Sequence, residues 1–308
     1  MSSCSKTSKD TADKIISMKN AGTPSREIAK VLGVGKSTVN DIYNRSKVTE
    51  KVPYRILLLD IETASSIVAT FGRFKQNIGQ AAVIKEGGWI ISYAYKWLGG
   101  TGVDGSRVTE SEAMLADDSR VCAELWELLE QSDACVWHNG ANFDLPMIKA
   151  RMIVNGLPPV RKVKSIDTLS IAREFRFNSS KLDSLCSQLD IGRKTNHAGM
   201  SMWIDCQNGD TVALDKMLEY NLQDVVLLEE LYLIIRRHST RHPNLAIYYN
   251  DDKVRCNICC SDDVKLTGNL VTTNVSIFEE YVCNECQGRF KSRQSITTKE
   301  QRSNFLSN

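Results

Sequence analysis

No stretch of this 308-residue chain approaches the roughly 18–20 consecutive apolar residues that a membrane span requires. The opening residues MSSCSKTSKDTADK contain no apolar h-region, so a secretory leader is not expected. Glycine (18) and proline (6) are too scarce for a collagen-like chain, and 42% apolar against 25% charged residues excludes a wholly disordered one. A Walker A loop is also missing. Gly35-Lys36-Ser37 has its ending, but Lys30 stands where the motif needs its first glycine, and the surrounding pattern is helical. No polymerase motif is visible. A cytoplasmic protein without membrane contact is the expectation.

Cysteine, by contrast, is plentiful. In a reducing compartment the ten cysteines read as thiols or metal ligands before disulfides. Cys4, Cys122, Cys135, Cys186 and Cys206 are scattered singly, whereas five crowd between Cys256 and Cys286. The net charge of +2 conceals a pattern: residues 1–51 hold 10 Lys/Arg against 5 Asp/Glu, residues 236–308 hold 11 against 8, and the middle holds 18 against 24. Basic flanks around an acidic centre suit a protein whose ends meet a polyanion while its middle collects carboxylates.

Three segments follow from pattern and punctuation. Residues 1–50 read as three short helices, Thr11–Asn20, Arg26–Leu32 with Ser25 as N-cap, and Lys36–Arg45, with Gly33-Val-Gly as the turn between the last two. Two helices joined by a Gly-containing turn make a helix-turn-helix pattern, and Ser37, Thr38, Asn40, Asn44 and Arg45 form its outward polar set for nucleic acid. A small helical module that binds protein is the alternative.

Residues 51–240 alternate strands and helices, which indicates an α/β domain with a mixed sheet. Arg55–Asp60 is an apolar run typical of a buried central strand, Gly87–Gly99 alternates as a second strand, and Ala134–Trp137 is a third. Gly99–Gly105 reads as a turn. Helical patterns cover Asp117–Glu130, Asp144–Val154, a segment opening at Ser165, Lys181–Leu189 and Thr211–Arg236. Residues 241–308 contain the cysteine cluster and, from about Ser295, a polar tail expected to be loose.

The acids of the middle segment stand out. Asp60 and Glu62 end the first apolar strand on one side of it, where active sites of open α/β sheets form. Asp144 closes Trp137-His-Asn-Gly-Ala-Asn-Phe-Asp, and Tyr220 and Asp224 are one helical turn apart. Carboxylates converging on one point repel unless cations hold them, and hard cations such as Mg²⁺ or Mn²⁺ prefer such ligands. A pair of these ions is the recurrent solution for phosphodiester hydrolysis. Taken singly, each Asp reads better as a helix cap or a solvated surface group.

The set Asp60-x-Glu62, Asn139-x-x-x-Phe143-Asp144 and Tyr220-x-x-x-Asp224 resembles the three motifs of the DEDD, or DnaQ-like, 3′→5′ exonuclease superfamily. The resemblance covers about residues 54–235 and implies an RNase H-like fold. Ile166-Asp-Thr-Leu169 and Lys181-Leu-Asp183 also look like the helical region of that superfamily. The layout as a whole looks most like phage-encoded members, which would place the protein in a host cytoplasm.

Roles are implied for individual residues. Asp60 would touch both catalytic metals, Glu62 and Asp224 would hold the nucleophile's metal, and Asp144 would serve the second through water. Tyr220 marks the subclass with Tyr four residues before the last acid and would orient the attacking water; the other subclass has His five residues before it, where Glu219 stands here. Thr63, Asn139 and Phe143 would meet the terminal nucleotide, with Phe143 stacking on a base. His138 reads as a packed, hydrogen-bonded residue, Asp167 as a helix N-cap, and His197 as part of a loop near the site.

Cys256-x-x-Cys259 and Cys283-x-x-Cys286, separated by 23 residues, have the spacing of a zinc ribbon with β-like Val264–Leu270 and Val275–Val282 between the pairs. Four protein ligands close the site, so this zinc would be structural. Cys260 follows Cys259 directly and leaves the ligand set open. Arg289, Lys291 and Arg293 could touch phosphates, or the ribbon could be a protein-interaction tail.

The expected function is therefore a two-metal 3′→5′ exonuclease that acts on nucleic acid, DNA favoured over RNA, and releases nucleoside 5′-monophosphates. A replicative polymerase or another replication or recombination protein is a candidate partner. An RNA exonuclease of the same chemistry, and a non-catalytic DNA-binding regulator on a nuclease-like scaffold, are the alternatives.

Overall fold

The computed structural model describes residues 8–46, 54–72, 74–192, 199–249 and 251–305. His197 lies outside them. The described residues fall into two compact units, one drawn from Met1–Pro53 and Ala246–Val254, the other from Tyr54–Leu245 and Arg255–Asn308. No helix among the described residues is long and apolar enough to cross a membrane.

In the first unit, α1 (Lys9–Asn20), α2 (Ser25–Leu32) and α3 (Lys36–Ser46) bury one apolar residue each, Ile15, Ile28 and Val39, against one another. Ser8 caps α1 by accepting the Thr11 N–H, and Gly33 closes α2 in the left-handed conformation (φ 64°) that glycine adopts without steric cost. Ser25 is not the N-cap of α2. Pro24 occupies that position, and the Ser25 hydroxyl instead donates to Asn40 Oδ1 at 2.7 Å, fastening α2 to α3.

The second unit is built on a five-stranded sheet. Strand β1 (Ile56–Thr63) leads to a two-stranded ribbon of β2 (Ile67–Val68) and β3 (Val83–Lys85), then β4 (Ile90–Trp97) and β5 (Asp104–Arg107). Helices α4 (Glu110–Leu115) and α5 (Ser119–Gln131) precede β6 (Ala134–Trp137), and α6 (Asp144–Val154) crosses to β7 (Lys164–Asp167). Helices α7 (Thr168–Ala172), α8 (Leu182–Gln188), α9 (Met200–Gln207) and the long α10 (Thr211–Ile235) complete the layer structure.

The strand order is β5-β4-β1-β6-β7, with β4 antiparallel to its neighbours and β1, β6 and β7 parallel. The mixed sheet read from the sequence is thus present. Strand β1 is central, and Ile56–Leu59 are buried without a break. Leu57, Leu59 and Ile61 join the main core with Leu125 and Leu129 of α5 and Ile148 of α6.

Two local readings need correction. Ser165–Asp167 belongs to strand β7 rather than to a helix, because it pairs in parallel with Cys135–Trp137; the helix begins only after the Asp167 cap. Asp104 and Gly105, read as the end of a turn, belong to the edge strand Asp104–Arg107 on β4.

Helix α10 lies against β1, β4 and β5. Asp215 takes Arg107 of β5 at 2.6 Å, Glu229 takes Lys96 of β4 at 2.5 Å, and Gly105 leaves room for the close approach. A Cβ there would stand 2.4 Å from Tyr93 O and 3.1 Å from Leu218 Cδ1.

Beyond α10, strands β8 (Val264–Thr272), β9 (Ile277–Cys283) and β10 (Arg289–Lys291) form an antiparallel three-stranded sheet, followed by α11 (Lys299–Ser303). The residues after Ser295 are not a loose tail as far as they are described. Ile296 N–H donates to Ile277 O at 2.9 Å, and Thr298 and Gln301 form a capping box that starts α11.

Candidate active site

Asp60 and Glu62 sit two residues apart on β1, opposite Ala94 and Ser92 of β4, just before a register shift at Thr63. Alternation turns both carboxylates away from the core that Leu59 and Ile61 enter. Asp224 of α10, 2% exposed, faces them. Oxygens of Asp60, Glu62 and Asp224 all lie within 4.8 Å of one another. At about 2.1 Å from Mg²⁺, two ligand oxygens on one ion stand about 3–4 Å apart, so this donor set fits a hard divalent cation, and three anionic groups so close call for one.

Asp144 is held apart from that trio but next to it. Past the last β1–β6 pair, Leu58↔Val136, the Ile61 N–H donates to Asp144 Oδ1 at 3.3 Å, so the backbone between the two β1 acids fixes the fourth acid. Asp144 is 4% exposed, and burial pushes its carboxyl up to about 7 against the lowering pull of the Ile61 N–H.

The turn that delivers Asp144 is tightly specified. Asn139 is left-handed (φ 73°), and its carbonyl accepts the N–H groups of Asn142 and Phe143 at 3.0 and 3.1 Å. At Gly140 a Cβ would lie 2.2 Å from the Trp137 ring, so only glycine fits. Phe143, at the start of α6, is 44% exposed, and Thr63 is half-buried at the end of β1. Asp167 caps α7 and also accepts the Asn139 N–H at 2.9 Å. His138 bonds Thr168 Oγ1 and Ser180 O, both at 2.9 Å, the packed role expected of it.

On α10, Tyr220 and Asp224 lie one turn apart; the Tyr220 ring packs edge-on against Trp203 of α9 with centroids 6.4 Å apart. Between them in sequence stands a residue that pattern reading missed. Asn221, fully buried, donates from Nδ2 to Asp60 Oδ2 at 2.6 Å and accepts the Ser92 hydroxyl at 3.2 Å. Its one legible signal is an amide three residues before Asp224, on the same helical face.

The four thiols form a second cluster. Sγ atoms of Cys256, Cys259, Cys283 and Cys286 all lie within 4.8 Å of one another, with Cys256–Cys286 at 3.6 Å and Cys259–Cys283 at 3.5 Å. These separations exclude disulfides, whose sulfurs are about 2.05 Å apart, and approach the roughly 3.8 Å between ligands of a tetrahedral Zn²⁺ with bonds of about 2.3 Å. Cys260 is outside the group: it is buried, left-handed (φ 64°), and hydrogen-bonded to Tyr54.

Of the residues read as nucleic-acid contacts in the first unit, Ser37 is exposed and Thr38 half-buried. Asn40 is occupied by Ser25. The side chains of Asn44 and Arg45 lie outside the described set.

Comparison with known proteins bears on the second unit. Residues 93–235 match the model of the RNase_H superfamily. The fold is RNase H-like. The matched stretch contains Asp144, Tyr220 and Asp224 but begins after Asp60 and Glu62. Among solved structures, the chain is similar to the family B DNA polymerase from the hyperthermophilic archaeon Pyrobaculum calidifontis, at 17% identity over 60% of this chain and 26% of that one, with a TM-score of 0.43. The likeness thus spans about a quarter of that polymerase (26%). No curated protein matches the chain.

Proposed function

We propose that the chain is a metal-dependent 3′→5′ exonuclease that acts on single-stranded 3′ ends, DNA favoured over RNA, and releases nucleoside 5′-monophosphates. The observation that carries this reading is the meeting of Asp60, Glu62 and Asp224 within 4.8 Å at the end of the central strand, with Asp144 pinned beside them by Ile61. The RNase H-like fold of the matched segment supports it.

Two Mg²⁺ or Mn²⁺ ions bound there would supply an activated water and neutralise the charge that develops on the phosphate. Asp60, Glu62 and Asp224 are assigned to hold them, and Asp144 is assigned to serve the second through water. Tyr220 is assigned to orient the attacking water by its hydroxyl. Thr63, Asn139 and the exposed Phe143 ring are assigned to the terminal nucleotide, with Phe143 stacking on its base.

The four thiols are assigned to one structural Zn²⁺, the helices of residues 1–50 to nucleic-acid delivery through a helix-turn-helix, and a replication protein to the role of partner. The three-domain division at residues 50 and 240 belongs to the same proposal.

The test is a 5′-labelled single-stranded DNA oligonucleotide, and its RNA counterpart, incubated with the protein in Mg²⁺, Mn²⁺ or EDTA. The expected result is a metal-dependent ladder shortening from the 3′ end, faster on DNA and abolished by Asp60→Ala and by Asp224→Ala. Cleavage that survives both substitutions, or a shifted complex without cleavage in any metal, would overturn the reading. A faster RNA ladder would reassign the substrate.

A further inference from the structure

Positive charge gathers at one joint between the acidic middle of the chain and the segment that follows it. The loop between α7 and α8 (residues 173–181) and the segment that follows α10 (residues 236–241) together hold Arg173, Arg176, Lys181, Arg236, Arg237 and Arg241 against the single acid Glu174. Both segments belong to the same compact unit.

The two segments are fastened to each other. Glu174 accepts the Ser239 hydroxyl at 2.5 Å, the Thr240 N–H at 2.9 Å and the Thr240 hydroxyl at 2.6 Å. Phe175 packs edge-on against both Phe177 and His238, with centroids 6.0 and 6.5 Å apart. The one carboxylate is therefore spent on hydrogen bonds within the joint. Arg173, Arg176, Arg237 and Arg241 each adjoin a fastening residue in sequence and all four are exposed; Arg241 attracts Glu174 and Arg237 Nε donates to His238 Nε2 at 3.3 Å, but none makes an ion pair within 4.0 Å among the described residues. Four arginines concentrated on a braced joint form a surface for phosphate, which guanidinium groups grip through paired N–H donors.

Its position says which phosphates. Helix α10 ends eleven residues beyond Asp224, about 16 Å along the axis at 1.5 Å per residue. The same α7–α8 loop is tied to the active-site turn, because Ser180 O accepts from His138, the residue before Asn139. We propose that this joint is a backbone-binding surface for the portion of a nucleic-acid strand lying several nucleotides from the reacting end. The inference rests on the nuclease reading and adds the path of the strand: phosphates beyond the acidic cluster are held where the arginines stand.

The test uses the full chain carrying Asp60→Ala, so that the strand is not consumed, with and without Arg176→Gln, Arg237→Gln and Arg241→Gln. Binding of a fluorescent single-stranded 20-mer and of a 4-mer is measured by anisotropy across a salt series, with the thermal midpoint as a check on folding. Loss of three phosphate contacts should flatten the slope of log K against log salt by about 2, at roughly 0.7 per contact for a single strand. The 20-mer should bind at least about tenfold more weakly near 0.1 M salt, while the 4-mer is unchanged.

An unchanged slope in the triple variant, with the parent binding the 20-mer steeply, would sink this inference and leave the nuclease reading standing. Equal weakening of the 4-mer would also overturn it, as would competition by a glutamate-rich peptide as strong as by DNA of equal charge. A parent that binds neither a DNA nor an RNA 20-mer, with no cleavage of either by the unsubstituted protein, would remove both readings together.

Discussion

Asn221 donates a 2.6 Å hydrogen bond to Asp60 Oδ2 from the interior of α10, and Ser92 of β4 holds the other end of the same amide. One of the two Asp60 oxygens is thereby oriented by a chain of contacts that runs from helix to sheet. Asn221→Ala would leave that oxygen without its donor inside a carboxylate cluster. Such supporting contacts typically contribute 10–100-fold in metal affinity, so the variant is expected to bind Mn²⁺ at least about tenfold more weakly, and the stranded Ser92 hydroxyl should cost about 1–3 kcal/mol of stability. Calorimetric titration of Mn²⁺ checks it, and an unchanged affinity would show that Asp60 orients itself.

His242 sets a pH limit on stability. It is 8% exposed, stacks on Tyr232 at 5.8 Å, donates from Nδ1 to Pro243 O and accepts the Tyr232 hydroxyl at Nε2. Burial lowers its pKa from 6.5 to about 4, with the Pro243 carbonyl pulling the other way and the Arg236 charge adding to the drop. The folded protein thus prefers the neutral ring. Its contribution is complete above about pH 6.5 and is lost as the pH falls toward 4, up to about 3 kcal/mol. Urea unfolding at pH 7.5 and 4.5 should show a steeper acid loss in the parent than in His242→Gln. Parallel losses would assign the acid sensitivity elsewhere.

Asp118 holds the far side of the core. Fully buried, it accepts the Ile90 N–H at 2.9 Å, Arg151 Nε and Nη2 at 2.7 and 2.8 Å and Asn155 Nδ2 at 2.8 Å. Burial raises its pKa most, but the hydrogen bonds from Arg151, Ile90 and Asn155 together outweigh it and the net shift is downward. Asp118→Ala strands the Arg151 guanidinium, and removing one partner of a buried pair costs about 3–5 kcal/mol. The urea midpoint should fall accordingly. A loss below about 1 kcal/mol would mean that water replaces the carboxylate.

The thiol cluster gives a prediction about order. If one Zn²⁺ closes it, elemental analysis returns one zinc per chain, and a strong chelator exposes Cys256, Cys259, Cys283 and Cys286 to alkylation together. Cys260 should react after those four, since it is buried outside the group and bonded to Tyr54. Stepwise alkylation without zinc release would contradict a shared ion.

Much of this architecture was legible because local pattern and tertiary role agree. The apolar run ending in Asp60 is the buried central strand, Asp144–Val154 is helical over its whole length, and the paired Cys-x-x-Cys spacing brings four sulfurs together. What escaped has little local signal. Asp-Gly-Ser-Arg (104–107) is a strand because β4 offers an open edge, and 165–167 because β6 does. Ser25 looks like a cap, but Pro24, with no N–H and a fixed φ, takes that position and frees the hydroxyl for Asn40. Asn221 is an amide inside a helix of mostly apolar residues, and nothing in the chain says that it meets a residue 161 positions away.

Strand β1 couples the chemistry to the fidelity of assembly. Its residues Leu57, Leu59 and Ile61 alternate with Asp60 and Glu62, so pairing displaced by one residue would drive both acids into the core that those apolar side chains fill. Such a misaligned sheet would be penalised by buried charge well before it could compete. The acids that suit the site to metal therefore also guard the folding chain against its nearest wrong alignment.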